Sequence, residues 1–133
     1  MSEPAPTILL VEDNDIDVMV VHRLMRRLQL DLPIVRVKNA EEALALLRAP
    51  TAPPRLLAPY VIVLDLNMPR MSGFEFLEAI ADDERLVDVP IFILSTSTSP
   101  ADRRTAGRYR IRGYLVKPMT ESLLREVIGS TAS

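Results

Sequence analysis

The sequence contains no cysteine, and this absence excludes several classes of protein. A chain without cysteine has no disulfide scaffold, no thiolate nucleophile and no cysteine-ligated zinc site. Long apolar runs are also missing, since none approaches the ~20 residues of a membrane span. The first residues lack the cationic segment that opens a signal peptide. We therefore expect a cytoplasmic protein that makes no membrane contact.

Neither sign of charge is in large excess. The 16 basic and 18 acidic side chains leave a net charge of -2, which gives no electrostatic reason to expect a nucleic-acid partner. A length of 133 residues with 48% hydrophobic content suits one domain with a substantial core. The composition thus predicts a single globular domain and no binding of nucleic acid.

Five short apolar runs alternate with helical patterns along the chain. This alternation predicts an α/β fold with a doubly wound, flavodoxin-like sheet of five parallel strands in the order 2-1-3-4-5, and five helices. The predicted strands are residues 7–11, 34–37, 60–64, 91–94 and 113–116. The predicted helices are residues 15–28, 40–48, 73–81, a segment opening at Ser99 and Pro100, and a segment from Thr120 to about residue 128.

Details of the helices and loops follow from periodicity and from turn residues. The first helix has an apolar stripe that predicts its core face: Ile16, Met19, Val20, Leu24 and Leu28. The predicted core face of the third helix is Phe74, Leu77 and Ile80 or Ala81. Asn39 is predicted to cap the second helix, with Glu42 completing a capping box. The proline-rich residues 50–59 predict an exposed loop. We expect residues 1–6 and 130–133 to be frayed or disordered.

Polar side chains follow four of the five predicted strands. Glu12 and Asp13 follow the first strand, Asp65 the third, Ser95 the fourth and Lys117 the fifth. Carboxyl ends of parallel strands share one edge of a sheet, where open α/β folds bind ligands. Clustered carboxylates favour a hard cation such as Mg²⁺ among them, and a neighbouring lysine suits a phosphoryl oxygen.

The lengths of these side chains match the expected strand spacing. In the order 2-1-3-4-5, the fourth strand lies one spacing of about 4.8 Å from the third, and the fifth lies roughly 10 Å away. The short hydroxyl of Ser95 suits the nearer position and the long Lys117 the farther one. Each residue alone also has an ordinary explanation, such as a helix N-terminal charge or a turn residue. Their shared position favours a functional site.

The motifs resemble the receiver domain of bacterial response regulators over residues 7–129. The matching strings are ILLVEDN at residues 8–14, DLNMP at residues 65–69 with Gly73, the fourth strand through Ser95, and GYLVKP at residues 113–118. The proline-rich residues 50–59, the Ser/Thr-rich segment after the fourth strand and Tyr109 further resemble single-domain regulators that serve phytochrome-type kinases.

This resemblance implies a phosphorylatable switch. Asp65 would accept a phosphoryl group from a sensor histidine kinase, of the phytochrome type, or from a histidine phosphotransfer protein. Mg²⁺ would be held by Asp13, Asp65 and the carbonyl of Asn67, with Glu12 acting through water.

The remaining implied roles concern the response to phosphorylation. Lys117 and Ser95 would bind phosphoryl oxygens, and Tyr114 would be an aromatic switch toward a downstream protein that the sequence does not identify. The resemblance also implies a cis Lys117–Pro118 bond. We expect a monomer or weak homodimer that catalyses only its own phosphorylation and dephosphorylation.

Three other functions share parts of this pattern. A flavodoxin-like cofactor protein needs a phosphate-binding loop after the first strand, where acidic Glu12 and Asp13 would repel phosphate. A phosphohydrolase with an aspartyl intermediate needs a second acid two residues after the nucleophile, and position 67 is Asn. A receiver-shaped interaction module that never accepts phosphate remains open.

Overall fold

The strands form one parallel sheet in this computed structural model, which describes residues 7–48, 60–68 and 71–130. The sheet order is β2-β1-β3-β4-β5, as the sequence predicts, so the fold class is confirmed. The strands are β1 (Thr7–Val11), β2 (Ile34–Val37), β3 (Tyr60–Leu64), β4 (Ile91–Ser95) and β5 (Gly113–Val116). Strand β4 is one residue longer than predicted, so Ser95 is its last residue.

Helices cover both faces of the sheet. They are α1 (Asp15–Arg27), α2 (Ala40–Arg48), α3 (Gly73–Ile80), α4 (Pro100–Ala106) and α5 (Glu121–Gly129). Buried residues of α2, α3 and α4 share one apolar cluster with Leu9, whereas those of α1 and α5 share the other with Ile8. Neighbouring strand residues point to opposite faces, so β1 contributes to both clusters. Its unbroken apolar character reflects burial on both sides.

Side-chain caps fix where the helices begin. Asn14 Oδ1 accepts hydrogen bonds from the backbone N–H groups of Ile16 and Asp17 at 2.9 and 3.2 Å, which starts α1 directly after the end of β1. Asn39 caps α2 as predicted, but the Glu42 carboxylate accepts from the N–H of Lys38. The predicted caps Ser99 and Thr120 are confirmed. Such caps contribute about 1 kcal/mol each.

The predicted core face of α1 is wrong at its first two residues and right in part at the other three, which pack against the core. Ile16 and Met19 are 70% and 58% exposed, whereas Val18, Val21 and Met25 are buried against the sheet. Apolar residues occur on nearly all sides of this helix, so the sequence pattern allows two different faces of the helix to turn toward the sheet. The rotation is decided by the start at Asn14 and by packing on the sheet. The rest of the predicted face is only partly buried: Val20, Leu24 and Leu28.

Two further differences from prediction lie around α3. Phe76 is fully buried, although the sequence pattern placed Phe74, which is only partly buried, in the core. A short 3-10 helix, Glu84–Leu86, was not predicted and buries Leu86.

Some predictions fall on residues that the structure does not describe. The loop predicted at residues 50–59 lies in the segment 49–59, and the termini predicted to fray include residues 1–6 and 131–133; all of these are outside the described residues. Ser130 is described, and its N–H donates to the carbonyl of Glu126 at 3.2 Å. Within residues 7–48, 60–68 and 71–130, no helix has both the length and the apolar character needed to cross a membrane.

Gly73 is needed for the close approach of α3 to the end of β3. A Cβ atom at this position would lie 2.8 Å from the carbonyl oxygen of Asp65 and 2.8 Å from the Cα of Leu66. We expect Gly73→Ala to lower the free energy of unfolding by about 1 to 3 kcal/mol, because the backbone after Asp65 must shift. Urea unfolding measures this change.

The matched control is Gly129→Ala. A Cβ atom there meets nothing within 4 Å, and alanine favours helix, so stability should be unchanged or should rise by up to about 1 kcal/mol. Equal stability of Gly73→Ala and the parent protein would contradict the assignment of a steric role to Gly73.

Candidate functional site

Three carboxylates meet at the carboxyl ends of β1 and β3. Pairing of Val11 with Leu64 places the residues that follow both strands side by side. One oxygen each of Glu12, Asp13 and Asp65 lies within 4.8 Å of the others. Glu12 is 1% exposed and Asp65 5% exposed, while Asp13 is open to solvent. The topology therefore creates a largely buried cluster of negative charge with one exposed side.

Lys117 reaches this cluster from the end of β5. Its Nζ lies 2.8 Å from Glu12 Oε1, 2.7 Å from Asp17 Oδ2 and 3.4 Å from Asp65 Oδ2. Its side chain is 10% exposed, so the ammonium is nearly enclosed by carboxylates. The Lys117–Pro118 peptide bond is cis, as the resemblance implies. A long side chain thus spans the distance that strand order imposes.

Asp17 is the site residue that the sequence analysis missed. It lies in the first turn of α1, where an acid is commonly explained by the helix dipole alone. The available signal was its place in the first turn of a helix that begins at the sheet edge bearing Glu12 and Asp13. The hydrogen bond to Lys117 could not be deduced, because it joins residues 100 positions apart in the chain.

Burial and charge shift the protonation equilibria of this cluster. Burial raises the pKa of Glu12 to about 7, and the nearby Asp65 carboxylate acts in the same direction, while Lys117 opposes both. Burial by itself would lower the pKa of Lys117, but its contacts with Asp17 and Glu12 outweigh that effect and raise it. The lysine is therefore held charged, and its ammonium forms ion pairs with three carboxylates.

The donor atoms fit a hard cation. Glu12 Oε1 is buried and forms an ion pair with Lys117, yet the geometry is not that of a hydrogen bond, so it retains acceptor capacity. Carboxylate oxygens from Glu12, Asp13 and Asp65 are the ligand type that Mg²⁺ and similar cations take. Asn67 is exposed beside them, and its N–H donates to Asp65 Oδ1 at 3.1 Å. The cluster can therefore accept a metal ion.

Ser95 and Tyr114 both form hydrogen bonds with the backbone of Ser97. Ser95 is fully buried, and its Oγ accepts a hydrogen bond from the N–H of Ser97 at 3.1 Å. The hydroxyl of Tyr114 donates to the carbonyl of Ser97 at 3.0 Å. The guanidinium of Arg103 lies 4.8 Å from the centre of the Tyr114 ring. A continuous series of contacts therefore links the end of β4 to the exposed face of α4.

Comparison with known proteins defines the class. A family model described as the response regulator receiver domain matches residues 8–129. The chain belongs to this family, and the resemblance inferred from its motifs is confirmed. It is therefore a receiver domain of two-component signalling.

Individual relatives agree with this assignment. The chain is 39% identical over 121 residues to the probable methanogenesis regulatory protein FilR2 of Methanothrix harundinacea, covering 90% of this chain and 77% of that protein. The structure is similar to a two-component response regulator from Legionella pneumophila, with a TM-score of 0.83, 26% identity and coverage of 96% and 98%. It is also similar to the phosphorylated cyanobacterial phytochrome response regulator RcpA, with a TM-score of 0.78, 30% identity and coverage of 95% and 91%.

Removal of the buried ammonium tests the electrostatics of this site. We expect Lys117→Met to lower the free energy of unfolding in the presence of chelator by about 3 kcal/mol, because buried carboxylates lose their counter-ion. Added Mg²⁺ should restore part of the loss, because the cation supplies positive charge to the same oxygens. Urea unfolding with chelator and with Mg²⁺ measures both effects.

Lys38→Met is the matched control, because Lys38 is the other lysine of the chain and is exposed. Its stability should change by less than about 0.5 kcal/mol in either condition. Equal effects of the two substitutions would show that the ammonium of Lys117 does not balance the cluster.

Proposed function

We propose that this receiver domain is a switch in which Asp65 accepts a phosphoryl group from a phosphohistidine. A carboxylate oxygen of Asp65 attacks phosphorus, a P–O bond forms, and the P–N bond to the histidine breaks. The released imidazole nitrogen takes a proton from solvent. The observation that carries the proposal is the ammonium of Lys117, held 3.4 Å from Asp65 Oδ2 at the carboxyl end of β3.

A metal ion is part of the proposed chemistry. Asp13, Asp65 and the backbone carbonyl of Asn67 would hold Mg²⁺, with Glu12 acting through water. When bound, the cation offsets the negative charge of the carboxylates and of the incoming phosphoryl group. Support comes from the oxygen-only donor set and from the acceptor capacity left on the buried Glu12 Oε1.

Lys117 and Ser95 have separate proposed roles toward the phosphoryl group. Lys117 would donate a charge-assisted hydrogen bond to one phosphoryl oxygen, which stabilises the charge that the group carries. Ser95 would donate its hydroxyl proton to another oxygen. Its Oγ accepts from the N–H of Ser97. A hydroxyl can accept and donate together, so Ser95 can bind the phosphoryl group while keeping that contact.

The proposed donor is a sensor histidine kinase or a histidine phosphotransfer protein. Similarity to RcpA, a phytochrome response regulator, favours a phytochrome-type kinase. Since a kinase draws on ATP, we place the reaction in the cytoplasm. The protein would act on no other substrate, and its output would pass to a downstream protein.

Labelling of Asp65 tests the chemistry directly. With Mg²⁺ and either acetyl phosphate or an autophosphorylated histidine kinase, mass spectrometry should find one phosphoryl group on Asp65. Asp65→Asn should abolish the label, because it removes the nucleophile and keeps the size of the side chain. Chelator should reduce labelling at least about 100-fold, since the carboxylates would then repel the incoming dianion.

Asp31→Asn is the control for this experiment, because Asp31 is an exposed acid between α1 and β2. It should be labelled like the parent protein. Labelling that survives in Asp65→Asn would show that Asp65 is not the nucleophile. A parent protein that no donor labels would favour the interaction module that never accepts phosphate.

The proposed switch passes through Ser97. The ring of Tyr114 is half-buried, with its hydroxyl bonded to the Ser97 carbonyl, and we assign this docked position to the phosphorylated state. Binding of a phosphoryl oxygen by Ser95 would fix Ser97 and so favour the docked ring. An undocked ring in the resting state would alter the exposed face formed by basic residues of α4 and its exit: Arg103, Arg104, Arg108, Arg110 and Arg112.

Tyr114→Phe tests this switch, because it removes only the hydroxyl that binds Ser97. We expect it to weaken the binding of beryllofluoride, a phosphoryl mimic, about five-fold, since one hydrogen bond of the favoured state is lost. A titration with Mg²⁺ followed by amide resonances measures the midpoint. Tyr109→Phe loses a hydroxyl bonded to Glu78 and should bind as the parent does. Equal midpoints for both variants would place the switch elsewhere.

A further inference from the structure

Asp17 makes the shortest contact of the Lys117 ammonium. The Nζ atom lies 2.7 Å from Asp17 Oδ2, against 3.4 Å from Asp65 Oδ2. The side chain of Asp17 is 27% exposed, whereas that of Asp65 is 6% exposed. The ammonium therefore lies between the buried Glu12 carboxylate, at 2.8 Å, and Asp17 at the rim of the site, an acid outside the group of three that can share a metal ion.

The chain holds Asp17 firmly in this position. Its backbone N–H donates to the capping side chain of Asn14 at 3.2 Å, and the next residue, Val18, is buried in the core. The carboxylate lies in the first turn of α1, where the helix dipole favours negative charge. The start of α1 thus sets where the Asp17 backbone lies relative to the lysine.

A phosphoryl group on Asp65 would need the same ammonium. A lysine has three N–H donors, and three carboxylates surround this one: Glu12, Asp17 and Asp65. The contacts with Asp17 and Asp65 are hydrogen bonds and that with Glu12 is an ion pair, so an incoming phosphoryl oxygen competes with all three for the position and charge of one ammonium. Asp17 accepts the shorter of the two hydrogen bonds, at 2.7 Å against 3.4 Å for Asp65, so it is the stronger hydrogen-bonded competitor.

We propose that Asp17 is a positioning residue that holds the Lys117 ammonium on the α1 side of the site and competes for it with the phosphoryl group. This competition limits how readily Asp65 is phosphorylated. The inference rests on the proposed function, since it concerns the phosphoryl group that Asp65 accepts. It assigns to the first turn of α1 a control over the reaction at the end of β3.

The test compares Asp17→Asn with the matched variant Asp15→Asn. Asp15 lies in the same helical turn and loses the same charge, but it pairs with Arg36 at 2.8 Å. With Mg²⁺ and acetyl phosphate, Asp17→Asn should be labelled about five times faster than the parent and should bind beryllofluoride about five times more tightly. Asp15→Asn should stay within about two-fold of the parent.

A double-mutant cycle shows whether the effect passes through the lysine. In a Lys117→Met background, Asp17→Asn should change neither the labelling rate nor the beryllofluoride midpoint, because the contested ammonium is gone. An equal gain in that background would mean general charge repulsion and would overturn the inference. Unchanged or slower labelling of Asp17→Asn in the parent background would also overturn it.

Folding and the phosphoacceptor reaction are checked separately. Thermal unfolding shows whether Asp17→Asn is folded, and Asp17→Ser, which also removes the charge and keeps a polar group, takes its place if it is not. If the parent is labelled but these variants are labelled no faster, the role of Asp17 is refuted and the proposed function is not. A parent that is not labelled refutes the proposed function and this inference together.

Discussion

The ion-pair cluster around the Lys117 ammonium is the contact on which the site depends. Carboxylates at the ends of β1 and β3 are buried beside one another, and such an arrangement is costly unless positive charge enters it. The sheet supplies that charge from β5, and α1 supplies a further acceptor through Asp17. Three distant stretches of the chain, namely the β1–α1 segment, the end of β3 and the end of β5, are thereby joined at one point. In the proposed function, the same ammonium that balances the resting cluster also binds a phosphoryl oxygen.

The cluster is connected to the surface by short contacts through the end of β4. Ser95 and Tyr114 bind the N–H and the carbonyl of the same residue, Ser97, and Arg103 lies over the Tyr114 ring. Ser97 also donates its hydroxyl to Asp102 in the first turn of α4 at 2.6 Å. A change in the position of Ser97 would therefore act on the ring and on α4 together. In the proposed switch, these contacts would convert a local event at the site into a change of surface.

The sequence was most informative where its apolar pattern was compatible with only one arrangement of buried and exposed residues. Continuous apolar runs that end on polar residues mark the strand ends, so the apolar pattern alone was enough to place Glu12, Asp65 and Lys117 at one edge of the sheet. Helix α1 has apolar residues on several sides, and the prediction chose a rotation that buries Ile16 and Met19, which are exposed in the structure. Local periodicity cannot decide between such rotations, because the sheet surface that selects one of them is formed by distant strands.

The sequence by itself determined the order of elements, the caps that start the helices and the residue types at the strand ends. These features depend on neighbours within a few positions, through hydrogen bonds such as that from Glu42 N–H to Asn39 Oδ1. The tertiary structure alone decided that Lys117 binds Asp17 more closely than Asp65, and that Ser95 and Tyr114 share Ser97. Those contacts join residues from separate strands and helices, and their distances follow from how the sheet and helices pack rather than from local propensity.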